Sequence, residues 1–293
     1  MMDTGLKDKV VIVTGANHGI GAAAALSFAG EGARVFINFL RQSPELYGES
    51  RESAGKAEKP GRAYYCKMIS QSADRVVKKI KESGGACFAW EADLSDPGNI
   101  PRMFDLAEEH LGKVQIVMNN AAFDRLDTFL PKKEIEKNPL FANEYSVQTI
   151  TSDSHDEHFS VNSRGVALMM AEYAKRHIEN DFQWGRIINI STDGAVGHAS
   201  NVSYGASKNA AESYTRAAAS ELGPYGITVN VISPGAVQTG WMPAELEKEL
   251  AATYPLRRVG RPEDIAKAAV FFASTQADWI TGQVLYVGGG NRM

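Results

Sequence analysis

Thr14-Gly15-Ala16-Asn17-His18-Gly19-Ile20-Gly21 directly follows an apolar, β-branched run at residues 10–14 and leads into an alanine-rich stretch at 20–30. Glycines there let the backbone turn tightly and approach a pyrophosphate, while the following helix presents unpaired N–H groups to it. The spacing is Gly-x-x-x-Gly-x-Gly rather than the commoner Gly-x-Gly-x-x-Gly. An ordinary strand–helix turn can also carry such a loop, but its place after the first strand favours dinucleotide binding. A strand must enter this loop and a helix must leave it.

The rest of the chain repeats that rhythm. Short apolar runs recur at 34–39, 87–90, 115–118, 186–190, 228–232 and 283–287, with helical patterns at 73–82, 99–111, 153–179, 203–222 and 262–272 between them. Hydrophobicity that is continuous rather than alternating marks strands buried on both faces. Gly223-Pro224 closes the long alanine-rich helix, and Arg261-Pro262-Glu263-Asp264 opens the next with proline and acids. The expected fold is α/β: a single-domain, Rossmann-type, doubly wound parallel sheet of about seven strands with helices on both faces. No repeat or linker divides residues 1–293.

Composition excludes several classes. Of the residues, 44% are hydrophobic and 23% charged, an ordinary globular balance, and the net charge of −4 offers no basic footprint for nucleic acid. Two cysteines, Cys66 and Cys87, cannot form a disulfide framework and fit a reducing cytosol. The start, MMDTGLKDKVVIVTG, has no signal-peptide core, and no apolar run approaches the roughly 18 residues of a membrane helix. A cytoplasmic protein without a membrane partner is expected.

The end of the second strand bears on which dinucleotide is bound. An NAD site usually places an acid there to hold the ribose 2′-hydroxyl. Here the chain reads Val35-Phe36-Ile37-Asn38-Phe39-Leu40-Arg41, with a base and no acid. Arg41 suits a 2′-phosphate, assisted by His18; the alternative for both is a solvated loop side chain. NADP(H) is preferred, with NAD(H) left open.

Tyr204 and Lys208 lie four apart in a helical stretch, hence on one face. A tyrosine is a poor acid–base group at neutral pH unless a neighbouring ammonium favours its phenolate. Chance pairs of this kind are common, but this one follows the glycine loop. Together they resemble the short-chain dehydrogenase/reductase family over nearly the whole chain, with 3-oxoacyl-carrier-protein reductases and sugar or steroid dehydrogenases the nearest in look. The resemblance adds Asp93-Leu94, Asn119-Asn120-Ala121, Val161-Asn162, Ser191-Thr192, Pro234-Gly235, Arg261–Asp264 and the tail Thr281-Gly282-Gln283…Gly288-Gly289-Gly290.

That resemblance implies roles. Tyr204 donates or accepts the proton at a carbonyl or alcohol oxygen. Lys208 binds the nicotinamide ribose and depresses the tyrosine's pKa, and Asn162 holds a water linking Lys208 to solvent. Gly15, Asn17, His18, Gly19, Ile20, Gly21, Asp93, Leu94, Asn120 and Ala121 line the dinucleotide groove, with Asp93 at the adenine. Pro234, Gly235 and Thr239 hold its nicotinamide end. The substrate-orienting hydroxyl falls on Thr192 by strand register and on Ser191 by counting back from Tyr204; the register favours Thr192. Ala122 replaces the glycine usual after Asn-Asn-Ala. A homotetramer built on the 203–222 helix and the tail is also implied.

Other clusters read as structure. His155-Asp156-Glu157-His158 has no cysteine or third histidine beside it and suits a helix's first turn rather than a metal site. Lys132–Lys137 reads as a solvated helix face, and Trp241, Met242 and 243–252 fall where the family keeps a lid. The expected reaction is hydride transfer between a nicotinamide and a small-molecule carbonyl or secondary alcohol. The rivals are an NADP-sensing protein without catalysis and an enoyl reductase; the first has no use for the Tyr204, Lys208 and Asn162 relay, and the second spaces its tyrosine and lysine further apart.

Two polar stretches, near 43–70 and 123–151, exceed what the family needs, the second by about eighteen residues and the first by about 25. Both leave the sheet at its ligand edge. The first is expected beside the 2′-phosphate. The second, with Phe129, Leu130, Ile135, Leu140, Phe141, Tyr145 and Val147, is expected to narrow the substrate pocket.

Overall fold

In the computed structural model, which describes residues 3–138 and 147–291, seven parallel strands form one sheet. In chain order they are β1 (Val10–Val13), β2 (Arg34–Phe39), β3 (Cys87–Glu91), β4 (Val114–Asn119), β5 (Gly185–Ile190), β6 (Ile227–Pro234) and β7 (Val284–Val287). They lie side by side as β3-β2-β1-β4-β5-β6-β7. The order reverses between β1 and β4, and the crevice at the strand C-termini there is where such sheets bind ligands.

The strands alternate between two apolar layers, as their pleat requires. Val11, Val13, Val35 and Ile37 face the layer built by α1 (Gly19–Gly30), α3 (Asp74–Glu82) and α9 (Pro262–Ala273). Between them in chain order, α2 (Arg62–Ile69) belongs to the first added stretch. Val10, Ile12 and Phe36 face the opposite layer, built by α4 (Asn99–Leu111), α6 (Val166–Glu179) and α7 (Val202–Leu222). Apolar residues on both faces explain why these strands carry no polar alternation. The remaining helices are α5 (Ser152–Phe159) and α8 (Ala244–Thr253).

The expected helix at 153–179 is not uniform. A π-helical turn at Ser160–Gly165 separates α5 from α6, and such turns recur at functional sites. Thr151 and Ser154 form a reciprocal capping box at the start of α5 (3.0 and 3.1 Å).

Both long polar stretches carry secondary structure among the described residues. The first carries short turns at Pro44–Tyr47 and Arg51–Lys56 and then α2, which buries Cys66, Met68 and Ile69. It also reaches the segment that follows β6. Gly61 N–H donates to the carbonyl of Gly240 (2.9 Å), and Tyr64 packs on Gly240, whose φ of 106° suits glycine. In the second stretch Asp127–Thr128 pairs with Gln148–Thr149 as a small parallel ribbon. Asp127 is fully buried; it accepts from Ser203 N–H at the start of α7 (2.9 Å) and from Ser154 Oγ (3.1 Å). Leu140, Phe141 and Tyr145 lie outside the described residues.

Candidate active site

The glycine loop is built by its neighbours. Gly15 and Gly19 take positive φ (63° and 53°), and a methyl at Gly15 would meet Ala121 Cα at 2.8 Å. A methyl at Gly21 would meet the Asn120 side chain at 2.6 Å. Asn120 Nδ2 donates to the carbonyls of Thr14 and Gly15 (2.9 and 3.0 Å), while Thr14 Oγ1 accepts from the N–H groups of Asn120 and Ala121 (both 2.9 Å). The Asn120 amide therefore braces the loop rather than facing a ligand, and Ala121 reaches the groove through its backbone. No side chain caps α1, so its first N–H groups and positive dipole end are turned to the crevice. This bare cradle fits a pyrophosphate. Thr239 stands beside Gly19 (3.1 Å from where a Cβ would be), and Asn17 Nδ2 donates to the carbonyl of Gln71 (2.9 Å).

His18 is half-buried, its Nδ1 3.1 Å from Asn17 Oδ1 and its ring edge-on to Tyr65 (centroids 5.8 Å). Burial lowers its pKa to about 4, so at neutral pH it is uncharged. As a cation beside Arg41 it does not serve; it remains a hydrogen-bonding group in the loop.

Arg41 is paired with Glu91 at the end of β3. Its Nε lies 3.0 and 2.9 Å from the two carboxylate oxygens, and its backbone N–H also donates to Glu91 (3.0 Å). The pair lines a cavity of about 560 Å³ with Ser43, Arg51, Lys67 and Gln71. Asp93 accepts from Ser95 N–H (2.8 Å), and Leu94 is buried next to it.

At the other end of the crevice, Lys208 is buried, and its Nζ donates to the carbonyl of Ile190 at the end of β5 (2.8 Å). The ammonium stands 5.7 Å from the Tyr204 ring centroid, and burial lowers its pKa to about 8. Tyr204 is pushed upward, first by burial and then by Asp124, Tyr65 and Asp193. The expectation that Lys208 depresses this tyrosine is thus reversed in the protein alone, because desolvation of the phenolate and two nearby carboxylates outweigh an ammonium turned towards Ile190.

Asn162 lies in the π turn. Its Oδ1 accepts from Phe123 N–H (2.8 Å), and its Nδ2 donates to the Phe123 carbonyl (2.8 Å) and Ser207 Oγ (3.0 Å). Both amide protons are used, and Oδ1 keeps one acceptor site. Ser191 is buried and donates to Glu212 Oε1 on α7 (2.6 Å). Thr192 is more open, and its hydroxyl only accepts, from Gly194 N–H (3.2 Å). Pro234 ends β6, and Gly235 packs against Gly288 and Tyr254 (3.0 and 3.2 Å from where its Cβ would stand). His158 is buried, with Nδ1 2.6 Å from the Ser154 carbonyl and Nε2 accepting from Arg125 N–H (3.2 Å). His155 stacks on Phe159 instead.

Sequence reasoning missed three residues. Asp124 follows β4, with Oδ1 accepting from the buried Asn201 Nδ2 (2.7 Å). Protein packed around it raises its pKa, opposed by Asn201, His158, His198 and Lys208. Tyr47 and Tyr65, from the first added stretch, lie edge to face (6.4 Å), and Asp124 disfavours the ionisation of both. No local spacing marks them; a Tyr64-Tyr65 pair ahead of Cys66 and Met68 was the one available signal.

Comparison with known proteins agrees with this geometry. Residues 48–292 match the family described as enoyl-(acyl carrier protein) reductase. The chain is similar to versicolorin reductase stcU of Emericella nidulans, with 32% identity covering 97% of this chain and 96% of that one. The uncharacterized oxidoreductase YjdA of Bacillus subtilis is 28% identical, with 97% of each covered. A double mutant of a short-chain dehydrogenase/reductase from Serratia marcescens has a similar structure, with a TM-score of 0.74, 27% identity and 98% of each chain covered.

Proposed function

Because the chain belongs to the short-chain dehydrogenase/reductase family of oxidoreductases, we propose that it is an NADP-dependent carbonyl reductase with Tyr204 as the proton donor. The carrying observation is the Tyr204–Lys208 pair on α7, with the lysine fixed by Ile190 (2.8 Å) beside the tyrosine ring. Burial, Asp124 and Asp193 hold Tyr204 in its protonated form, the form that gives a proton to a carbonyl oxygen. The nicotinamide supplies the hydride when bound. Thr192 orients the carbonyl, since the Ser191 hydroxyl is turned to Glu212. Lys208, mostly charged at neutral pH, holds the ribose side of the groove, and Asn162 keeps the Phe123 loop and α7 in register. Read in the other direction, the same groups oxidise a secondary alcohol.

The preference for NADP rests on the cavity at the end of β2. Arg41, Arg51 and Lys67 meet there, and Arg41 would leave Glu91 to hold a 2′-phosphate. Enoyl reduction is the second reading, favoured by the description of the matching family; the four-residue spacing of Tyr204 and Lys208 favours the carbonyl reaction. A chain that only sensed NADP would need no such pair. Exposed Trp279, Phe271, Leu285 and Tyr286 support assembly through the tail, as a homotetramer. No helix among the described residues is long and apolar enough to cross a membrane, and both cysteines are free, which suits a cytoplasmic setting.

A panel of aldehydes, ketones and enoyl thioesters with NADPH and NADH tests the reading, with NADPH consumed on carbonyls. Tyr204→Phe should lower kcat on the best carbonyl by about 10²–10⁴-fold while the NADPH dissociation constant changes less than threefold. Retained turnover in that variant removes the mechanism.

A further inference from the structure

We propose that Asp124 is a substrate-binding carboxylate that selects carbonyl compounds bearing a hydroxyl next to the reacting carbon. The inference rests on the carbonyl-reductase reading of the Tyr204 site and gives that site a substrate class.

Asp124 follows β4 and is exposed, with one oxygen fixed and one not. Oδ1 accepts from Asn201 Nδ2 (2.7 Å), and Asn201 is itself buried at 3% exposure just ahead of α7. Oδ2 has no partner among the described residues, and no cation there forms a salt bridge with this carboxylate. Arg125, the adjacent base, is paired with Glu157 (3.1 Å) instead. The carboxylate nevertheless acts on the reacting groups: it disfavours ionisation of Tyr204 and favours the charged form of Lys208. It also disfavours ionisation of Tyr47 and Tyr65, from the first added stretch. Asn201, which holds Asp124 Oδ1, stands directly ahead of α7 and three residues before Tyr204, so the carboxylate lies at the end of the helix that carries the tyrosine.

A substrate filling the cleft strips water from Oδ2, and an acceptor left without a donor then costs binding. A carboxylate offers only acceptor sites, so the substrate must bring the donor. A hydroxyl does so without adding charge beside the Lys208 ammonium. A substrate carboxylate would meet Asp124 and Asp193, both close enough to act on Tyr204. The site thus favours neutral hydroxy-ketones over plain ketones and over keto acids.

Asp124→Asn tests this, because asparagine can still accept from Asn201 through its own Oδ1 while losing the charge. The kcat/KM ratio for 2-hydroxycyclohexanone over cyclohexanone, measured with NADPH, should fall roughly tenfold or more from wild type to D124N. In parallel, calorimetry with NADP⁺ present should show the affinity ratio of trans-1,2-cyclohexanediol over cyclohexanol falling in step. Equal ratios in the two proteins overturn the assignment. If wild type turns over neither ketone, the carbonyl-reductase reading fails, while the diol ratio still decides whether Asp124 reads the hydroxyl. Matching melting temperatures of the two proteins exclude a folding defect as the cause.

Discussion

Glu91 holds Arg41 by both carboxylate oxygens, so a 2′-phosphate has to compete for the guanidinium. The pair is half-exposed and screened by solvent, so it holds the guanidinium only weakly. Glu91→Gln should therefore tighten NADPH a few-fold, whereas Arg41→Ala should weaken it about tenfold or more and leave NADH nearly unchanged; fluorescence titration of both cofactors checks this. Weaker NADPH binding in E91Q would mean that Glu91 aims the arginine instead. His18 supplies a pH dependence of stability. Its folded pKa of about 4 lies below its ordinary value of 6.5, so the unfolded chain binds more protons between these limits. Stability is complete above pH 6.5 and is lost as pH falls towards 4. His18→Gln should shrink the drop in Tm between pH 7 and pH 5 by roughly a few degrees, read by scanning calorimetry. At this scale the sequence showed Tyr204, Lys208 and the glycine loop, whose chemistry depends on spacing of a few residues. Asp124 was not legible, because its partner Asn201 lies 77 positions away and only the fold joins them. Ser191 and Thr192 could not be told apart from the sequence for the same reason: Glu212, which draws the Ser191 hydroxyl inwards, lies on another element.

Among the elements, β1 and α1 show how a local pattern fixes a site. Both are apolar throughout because each is covered on more than one side, and the glycines between them are packed rather than merely permissive. Gly21→Ala should cost about 100-fold or more in NADPH affinity, since its methyl meets the Asn120 amide that braces the loop. Gly30→Ala, at the last residue of the same helix, meets nothing within 4 Å and should raise stability by roughly 0.5–1 kcal/mol in urea titration. The sheet strands were legible to within a residue or two, because burial on both faces leaves unbroken apolar runs. The helices of the first added stretch were not. Charged residues are nearly as many as apolar ones there and interrupt any apolar face, and α2 is held by contacts with Gly240 and His18 from distant segments.

For the whole molecule, the sheet order follows from the succession of strands and helices, and the two long polar stretches leave the sheet after β2 and β4. One of them, through Asp127, is tied to the start of the helix that carries Tyr204. The tail leaves Trp279 fully exposed beside an edge strand with Leu285 and Tyr286 outward, an arrangement that invites a second copy. Light scattering should give about four times the chain mass, and Leu285→Glu should reduce it to a smaller species. A monomeric wild type would end the tetramer proposal.

The hydrogen bond from Gly61 to Gly240 joins a segment between β2 and β3 to one that follows β6. The two segments are stitched together, with Tyr65 leaning on the glycine loop between them. Loosening one segment loosens the other. A variant selected for quicker release of product should therefore also leak its dinucleotide, and speed and retention in this enzyme trade against each other through a single stitch.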